Sequence, residues 1–259
     1  MFGGTTVAQL LAAAQRSCSP DLQASNLSVN FLAPANGAIP CEYHVANAHD
    51  GRSSATRSIT VTQHDALLAI GTVALHTPRA TWSHQHKGRH SAHPETLPRT
   101  GMPHPARAIP EGHFDIRYTD KRRDGAFVRA LWFRCTRALP DETWVHQCVI
   151  SLISDLYFFE PIVAELGLRA DARTVRYGTT QHAMWFHRQA RADEWLVIES
   201  TSPVGVGGRG LVTGQVRTVD GSVVATVVQE VAIRLDLAVK DTGGSAGAIR
   251  PDPRSNTST

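Results

Sequence analysis

Gln181, Thr201 and Gln229 are the polar side chains whose positions point to chemistry. Each falls where strand alternation calls for a buried group, and each lies on a separate segment. Gln181 opens the run Gln181-His182-Ala183-Met184-Trp185-Phe186-His187-Arg188, Thr201 follows Glu199-Ser200, and Gln229 sits within Val228-Gln229-Glu230. A hydroxyl and a primary amide each donate and accept, so three such groups meeting in a cavity would hold and orient a water. His182 adds a titratable ring that is a candidate base. Simpler duties compete. Gln229 can tie strands together, a threonine near a strand end is often structural, and a lone strand histidine is often satisfied within the core. Glu199 and Glu230 fall out of phase with the inward positions and read as surface groups.

The elements that must position these residues are legible from periodicity. Val7, Leu10, Leu11 and Ala14 recur at helical spacing directly after Phe2-Gly3-Gly4. Strand patterns follow at Leu27–Phe31, Cys41–Ala46, Ser53–Gln63 and Leu67–His76. Phe114–Arg117 and Phe127–Arg134 resume the pattern, and a second helix follows Pro140-Asp141, with Val145, Cys148, Val149, Leu152, Ile153 and Leu156 on one face. Ser151 and Ser154 are small enough to lie against a sheet. Four strands come next, at Thr180–Arg188, Trp195–Thr201, Arg209–Thr218 and Val223–Leu235, the last two joined by Asp220-Gly221. On the last strand Val223, Ala225, Val227, Val231, Ile233 and Leu235 share one face with Gln229.

The chain therefore carries an internal repeat, a long helix followed by four antiparallel strands, which makes it α+β. A helix wrapped by a curved antiparallel sheet is the hotdog arrangement, and two in one chain make a double hotdog with the sheets joined edge to edge. Phe31-Leu32 matches Phe186-His187, and Val73 matches Gln229, so the polar group occurs in the second half alone. The units read as an N-terminal hotdog at 1–78, a Pro/His-rich linker at 79–111, a C-terminal hotdog carrying the site at 112–235, and a Gly-, Ser-, Pro- and Thr-rich tail at 236–259 expected to be disordered.

Composition excludes several classes. The 259 residues carry a net charge of +3, short of the concentrated basic stripe of a nucleic-acid binder. No apolar run approaches a membrane span, and the start lacks the pattern of a signal peptide. The four cysteines, Cys18, Cys41, Cys135 and Cys148, form no CxxC pair and read as reduced thiols of a cytoplasmic protein. His84, His86, His90, His93 and His104 of the linker match no fixed metal geometry. No nucleophile elbow, P-loop or dinucleotide fingerprint is present, and the glycines at 205, 207, 208 and 210 precede a strand, not a helix. No cofactor or metal is expected.

Phe2-Gly3-Gly4, Phe31-Leu32-Ala33-Pro34, Asp50-Gly51-Arg52-Ser53, His146-Gln147 through Ser154-Asp155, His182 through Arg188, Glu194-Trp195-Leu196, Glu199-Ser200-Thr201, Arg209-Gly210-Leu211-Val212 and Gln229-Glu230 together resemble the type II acyl-CoA thioesterase (TesB-like) family over residues 2 to about 235. The resemblance implies a double hotdog that hydrolyses fatty acyl-CoA, or another acyl thioester, with an Asp–Thr–Gln trio that orients and activates a water. It carries Thr201 and Gln229 onto the trio and puts Gln181 in place of the Asp. An amide has no useful basicity, whereas general-base help is worth roughly 10²–10⁴-fold. On that carry-over hydrolysis is weak, borrows His182 as base, or gives way to another task. Two such tasks stay open, a non-hydrolytic biosynthetic reaction on a polyketide or acyl intermediate, and acyl-ligand binding. The strand that usually precedes Phe-Gly-Gly is missing here, which leaves the first hotdog incomplete or the chain shortened. Exposed sheet edges favour a homo-oligomer.

Overall fold

A computed structural model describes residues 1–86, 93–101, 106, 109, 112–168 and 175–235. The first helical stripe forms α1 (Gly3–Arg16), which buries Val7, Leu10, Leu11 and Ala14. The strands after it are β1 (Gln23–Phe31), β2 (Glu42–Asp50), β3 (Ser54–Gln63) and β4 (Ala66–His76). The second half opens with a hairpin, β5 (Phe114–Arg123) and β6 (Ala126–Cys135). It continues with α2 (Thr143–Ser154), a short α3 (Glu160–Glu165) that periodicity did not reveal, and β7 (Val175–Phe186), β8 (Leu196–Val206), β9 (Arg209–Thr218) and β10 (Val223–Leu235).

The ten strands among the described residues form one antiparallel sheet in the order β2-β3-β4-β1-β7-β10-β9-β8-β6-β5. The junction of β1 and β7 relates two matching sets, β2-β3-β4-β1 and β8-β9-β10-β7, and the β5–β6 hairpin extends the second set beyond β8. This is the double hotdog. Within β1 and β4, Leu27 pairs with Val73. At the matching place in β7 and β10, His182 pairs with Gln229. An apolar pair in one half thus corresponds to a polar pair in the other.

The helices cover one face of the sheet. Its inward side chains include Leu27, Ile59, Val73, Met184, Val227 and Ile198, all in one core with α1 and α2. On α2 the most buried residues are His146, Gln147, Ile150, Ser151, Ile153 and Ser154, a different stripe from the apolar one expected. The reason is that α2 is covered on two sides. Gln147 donates to the Ala24 carbonyl of β1 at 2.9 Å and Ser154 reaches His182 of β7, so small and hydrogen-bonded residues face the sheet. The other side meets α1, where a Cβ on Gly4 would stand 2.2 Å from the Leu152 carbonyl oxygen. Glycine there allows the two backbones to touch.

On the outer face Trp132, Trp195, Ala130 and Val197 form a smaller cluster with Leu97 against it. The described start of the linker is anchored, since Gln85 accepts from the Val223 N–H at 3.0 Å and donates to the Gly221 carbonyl at 3.2 Å. Much of the remaining linker, with His90 and His104, and the tail at 236–259 lie outside the described residues. No helix among the described residues is long and apolar enough to cross a membrane.

Candidate active site

The expected meeting of Gln181, Thr201 and Gln229 does not occur. In β7 the inward row is His182, Met184 and Phe186, all buried, which puts Gln181, Ala183 and Trp185 on the outward side, where Gln181 and Trp185 are exposed. Gln181 stands opposite Asn30 and Glu230 in the sheet, not in the interior. Thr201 lies on β8, with β9 and β10 between it and β7. It shares the outer face with Val197 and Glu199, pairs with Val128 and Thr213, and lines a groove there with Gln215 and Thr226. Gln229 alone of the three is inward, at 1% exposure.

Around Gln229 the structure assembles a different set. Its amide nitrogen donates to the Thr179 hydroxyl at 2.8 Å. Thr179 in turn donates to Oδ1 of Asp155 at 3.3 Å. Oδ2 of the same carboxylate accepts the backbone N–H of Gly4 at 2.8 Å. Carboxylate, hydroxyl and amide thus form one hydrogen-bonded chain drawn from α2, β7 and β10, with α1 of the first half completing it.

Local structure explains each placement. Asp155 is the cap at the C-terminal end of α2. A carboxylate there faces the negative end of the helix dipole, an unfavourable place unless something offsets it. The first turn of α1, with its unpaired N–H groups, supplies the offset. Gly3 and Gly4 are required for the approach, because a Cβ on Gly3 would meet Oδ2 of Asp155 at 2.7 Å. Thr179 reaches the interior through a bulge. Gln181 pairs with Glu230 and Thr179 with Val231, which leaves Thr180 as the extra residue on β7. Unbroken alternation from His182 would have turned Thr180 inward. The bulge sends Thr180 outward to Glu230 and brings Thr179 in.

Burial pushes the Asp155 carboxyl up to about 7, against the lowering effect of its bonds from Gly4, Thr179 and Gln229. A carboxyl with that value exchanges protons near neutrality, as a general base must. His182 lies behind Gln229, not at the reacting end. Because the Gln229 nitrogen donates to Thr179, its oxygen accepts from Nδ1–H of His182 at 2.8 Å, and Nε2 faces the Ser154 hydroxyl at 2.9 Å. Desolvation lowers His182 to about 4, so the ring is neutral at physiological pH and acts as a brace, not as a base.

Asp155 and Thr179 form part of the wall of a cavity of about 590 Å³. Phe2, Phe31, Leu32, Leu68 and Phe159 supply apolar walls, and Tyr177 stacks on Phe159 with ring centroids 3.7 Å apart. An apolar chamber with a few convergent polar groups is the form of a small-molecule site.

A family model described as the acyl-CoA thioesterase N-terminal domain matches residues 1–76, and one described as the acyl-CoA thioesterase C-terminal domain matches residues 88–233. The chain belongs to the type II acyl-CoA thioesterase family. As a member of that family it is a thioesterase-like hydrolase. It is 26% identical to acyl-CoA thioesterase 2 of Haemophilus influenzae, over 90% of this chain and 87% of that relative. It is 27% identical to acyl-coenzyme A thioesterase 8 of Mus musculus, over 93% of this chain and 82% of the relative. The solved structure of acyl-CoA thioesterase II TesB2 from Mycobacterium marinum is similar with a TM-score of 0.82 and 28% identity, covering 93% of this chain and 92% of that one.

Sequence reasoning missed Asp155 and Thr179. Asp155 did carry a signal, an acidic residue at the end of a buried helical stripe whose dipole disfavours it. Thr179 carried none, since the bulge that turns it inward depends on pairing with β10.

Proposed function

We propose that the protein hydrolyses acyl-CoA thioesters with Asp155, Thr179 and Gln229 as the catalytic group. The acyl chain occupies the apolar cavity and its thioester carbonyl lies near Asp155. Water attacks the carbonyl carbon while Asp155 takes one of its protons. Thr179 and Gln229 hold that water in line, which converts a collision into an oriented attack. The first turn of α1 offers backbone N–H groups toward the charge developing on the carbonyl oxygen. Collapse of the tetrahedral intermediate breaks the carbon–sulfur bond, and the proton on Asp155 passes to the departing thiolate. Products are the free acid and the thiol.

The observation that carries this reading is the unbroken chain from Gln229 through Thr179 to a carboxylate with a raised pKa. It supports hydrolysis over the amide-only alternatives, because a base is present. Steady-state release of thiol from acyl-CoAs of graded chain length tests it. Turnover by the wild type, lost in Thr179→Val and Gln229→Ala, is the expected result. No turnover on any chain length overturns it.

The reading includes a homo-oligomer. β2 and β5 are the outer strands of the sheet, and their outward backbone groups invite pairing with a second copy. Light scattering on the eluted protein reads the mass directly.

A further inference from the structure

β7 is paired unevenly. Its neighbour β1 ends the shared ladder at Asn30 opposite Gln181, so residues 175–180 of β7 have β10 on one side and, among the described residues, no strand on the other. That free edge borders the cavity, which Arg176, Gly178, Thr179 and Thr180 all line. Alternate N–H and C=O groups along it are open to a ligand that offers amides of its own.

At the outer end of this edge Arg176 stands directly opposite Arg234 in the β7–β10 ladder. Both are exposed, and both line the cavity. Among the described residues neither has an ion pair or a side-chain hydrogen bond. Glu230, the carboxylate nearest along β10, is engaged by Arg209 at 2.7 Å and by Thr180 at 2.6 Å. Like charges directly opposite in a sheet repel and cost stability, a cost that a bound anion removes. Between the arginines and the reacting centre lie Gly178 and Ala232, a facing pair of small residues. Arg176, Gly178, Ala232 and Arg234 lie on the face of the sheet away from Thr179, and the cavity reaches both faces around the free edge of β7, where a Cβ on Gly178 would meet nothing within 4 Å.

We propose that Arg176 and Arg234 form a seat for the phosphate that ends the pantetheine arm of the thioester, and that the arm's amides run along the free edge of β7. The inference rests on the thioesterase reading for the direction of the arm. The phosphate chemistry itself stands apart from that reading. Arginine suits the task because its planar fork takes phosphate oxygens two at a time. From Thr179 to Arg176 the strand advances about 10 Å, at roughly 3.3 Å per residue, which places the seat well outside the acyl chamber.

The test compares the wild type with the double variant Arg176→Ala/Arg234→Ala on three thioesters of one acyl group. These are acyl-CoA, acyl-4′-phosphopantetheine, and acyl-pantetheine without phosphate. The expected result is a rise in KM of about tenfold for the first two, with kcat held and the phosphate-free substrate unaffected. An equal loss on acyl-pantetheine, or no change on acyl-CoA, overturns the proposal. So does a loss on acyl-CoA alone, which would assign the seat to a phosphate on the nucleotide. Calorimetric titration with CoA separates the two readings. Salt-sensitive binding that weakens about tenfold in the double variant, without turnover of any thioester, sustains the phosphate seat while hydrolysis fails.

Discussion

Replacing Asp155 by asparagine should weaken catalysis and strengthen the fold, and the two effects have one cause. The side chain keeps its shape. Its oxygen still accepts from Gly4, and its new amide can donate to Thr179, so the geometry has no reason to collapse. The base is gone, and the loss expected for a general base is roughly 10²–10⁴-fold in kcat. Stability moves the other way. The Asp155 carboxyl rises from an ordinary 3.8 to about 7 on folding. Between those values the folded protein holds a proton that the unfolded chain releases, so stability falls as pH rises and levels off above about 7. At about 1.4 kcal/mol per tenfold change in proton affinity, the rise corresponds to roughly 4 kcal/mol. Asparagine has no such proton to lose. The two proteins should therefore match near pH 4 and separate as pH rises, with the variant the more stable by several kcal/mol at pH 8. Thiol release gives the rate and urea unfolding at the two pH values gives the stability. In the wild type kcat/KM should climb with pH through about 7, as the base form appears. A variant that keeps more than a tenth of the activity, or that unfolds at pH 8 as easily as the wild type, refutes the assignment.

The positions excluded by the structure give a control: Gln181→Asp and Thr201→Val, on the outer face, should leave kcat/KM within about twofold, as ordinary surface changes do. Gly4→Ala drives a methyl group into the Leu152 carbonyl and parts α1 from α2, so it should cost about 1–3 kcal/mol in urea unfolding and take activity with it. Gln229→Val strands the Nδ1–H of His182 and should cost about 1–3 kcal/mol, whereas adding His182→Leu recreates the Leu27–Val73 pair of the first half and should recover most of that stability with no activity. A double variant no more stable than Gln229→Val would show that the two halves do not share this packing.

Much of the fold was written in the order of residues. Helical spacing set α1, and period-two alternation set β10 with Gln229 among its inward valines, because those signals are local and repeat along a few turns or pleats. The internal repeat predicted the matching strand sets, and with them the equivalence of Val73 and Gln229. The family resemblance was legible as well. What sequence could not fix was phase and proximity. Alternation in β7 was counted from Gln181 inward, yet the buried row is His182, Met184 and Phe186, and a single extra residue at Thr180 reverses the count again before Thr179. A bulge belongs to a pair of strands, so no property of one segment announces it. Asp155 likewise became part of a site only when α1, 151 residues earlier in the chain, brought the Gly4 N–H to its carboxylate. The chain by itself determined which residues are capable of the chemistry. Packing of the two halves decided which carboxylate is buried beside which hydroxyl, and it is burial, not residue type, that lifts an ordinary aspartate to a working base.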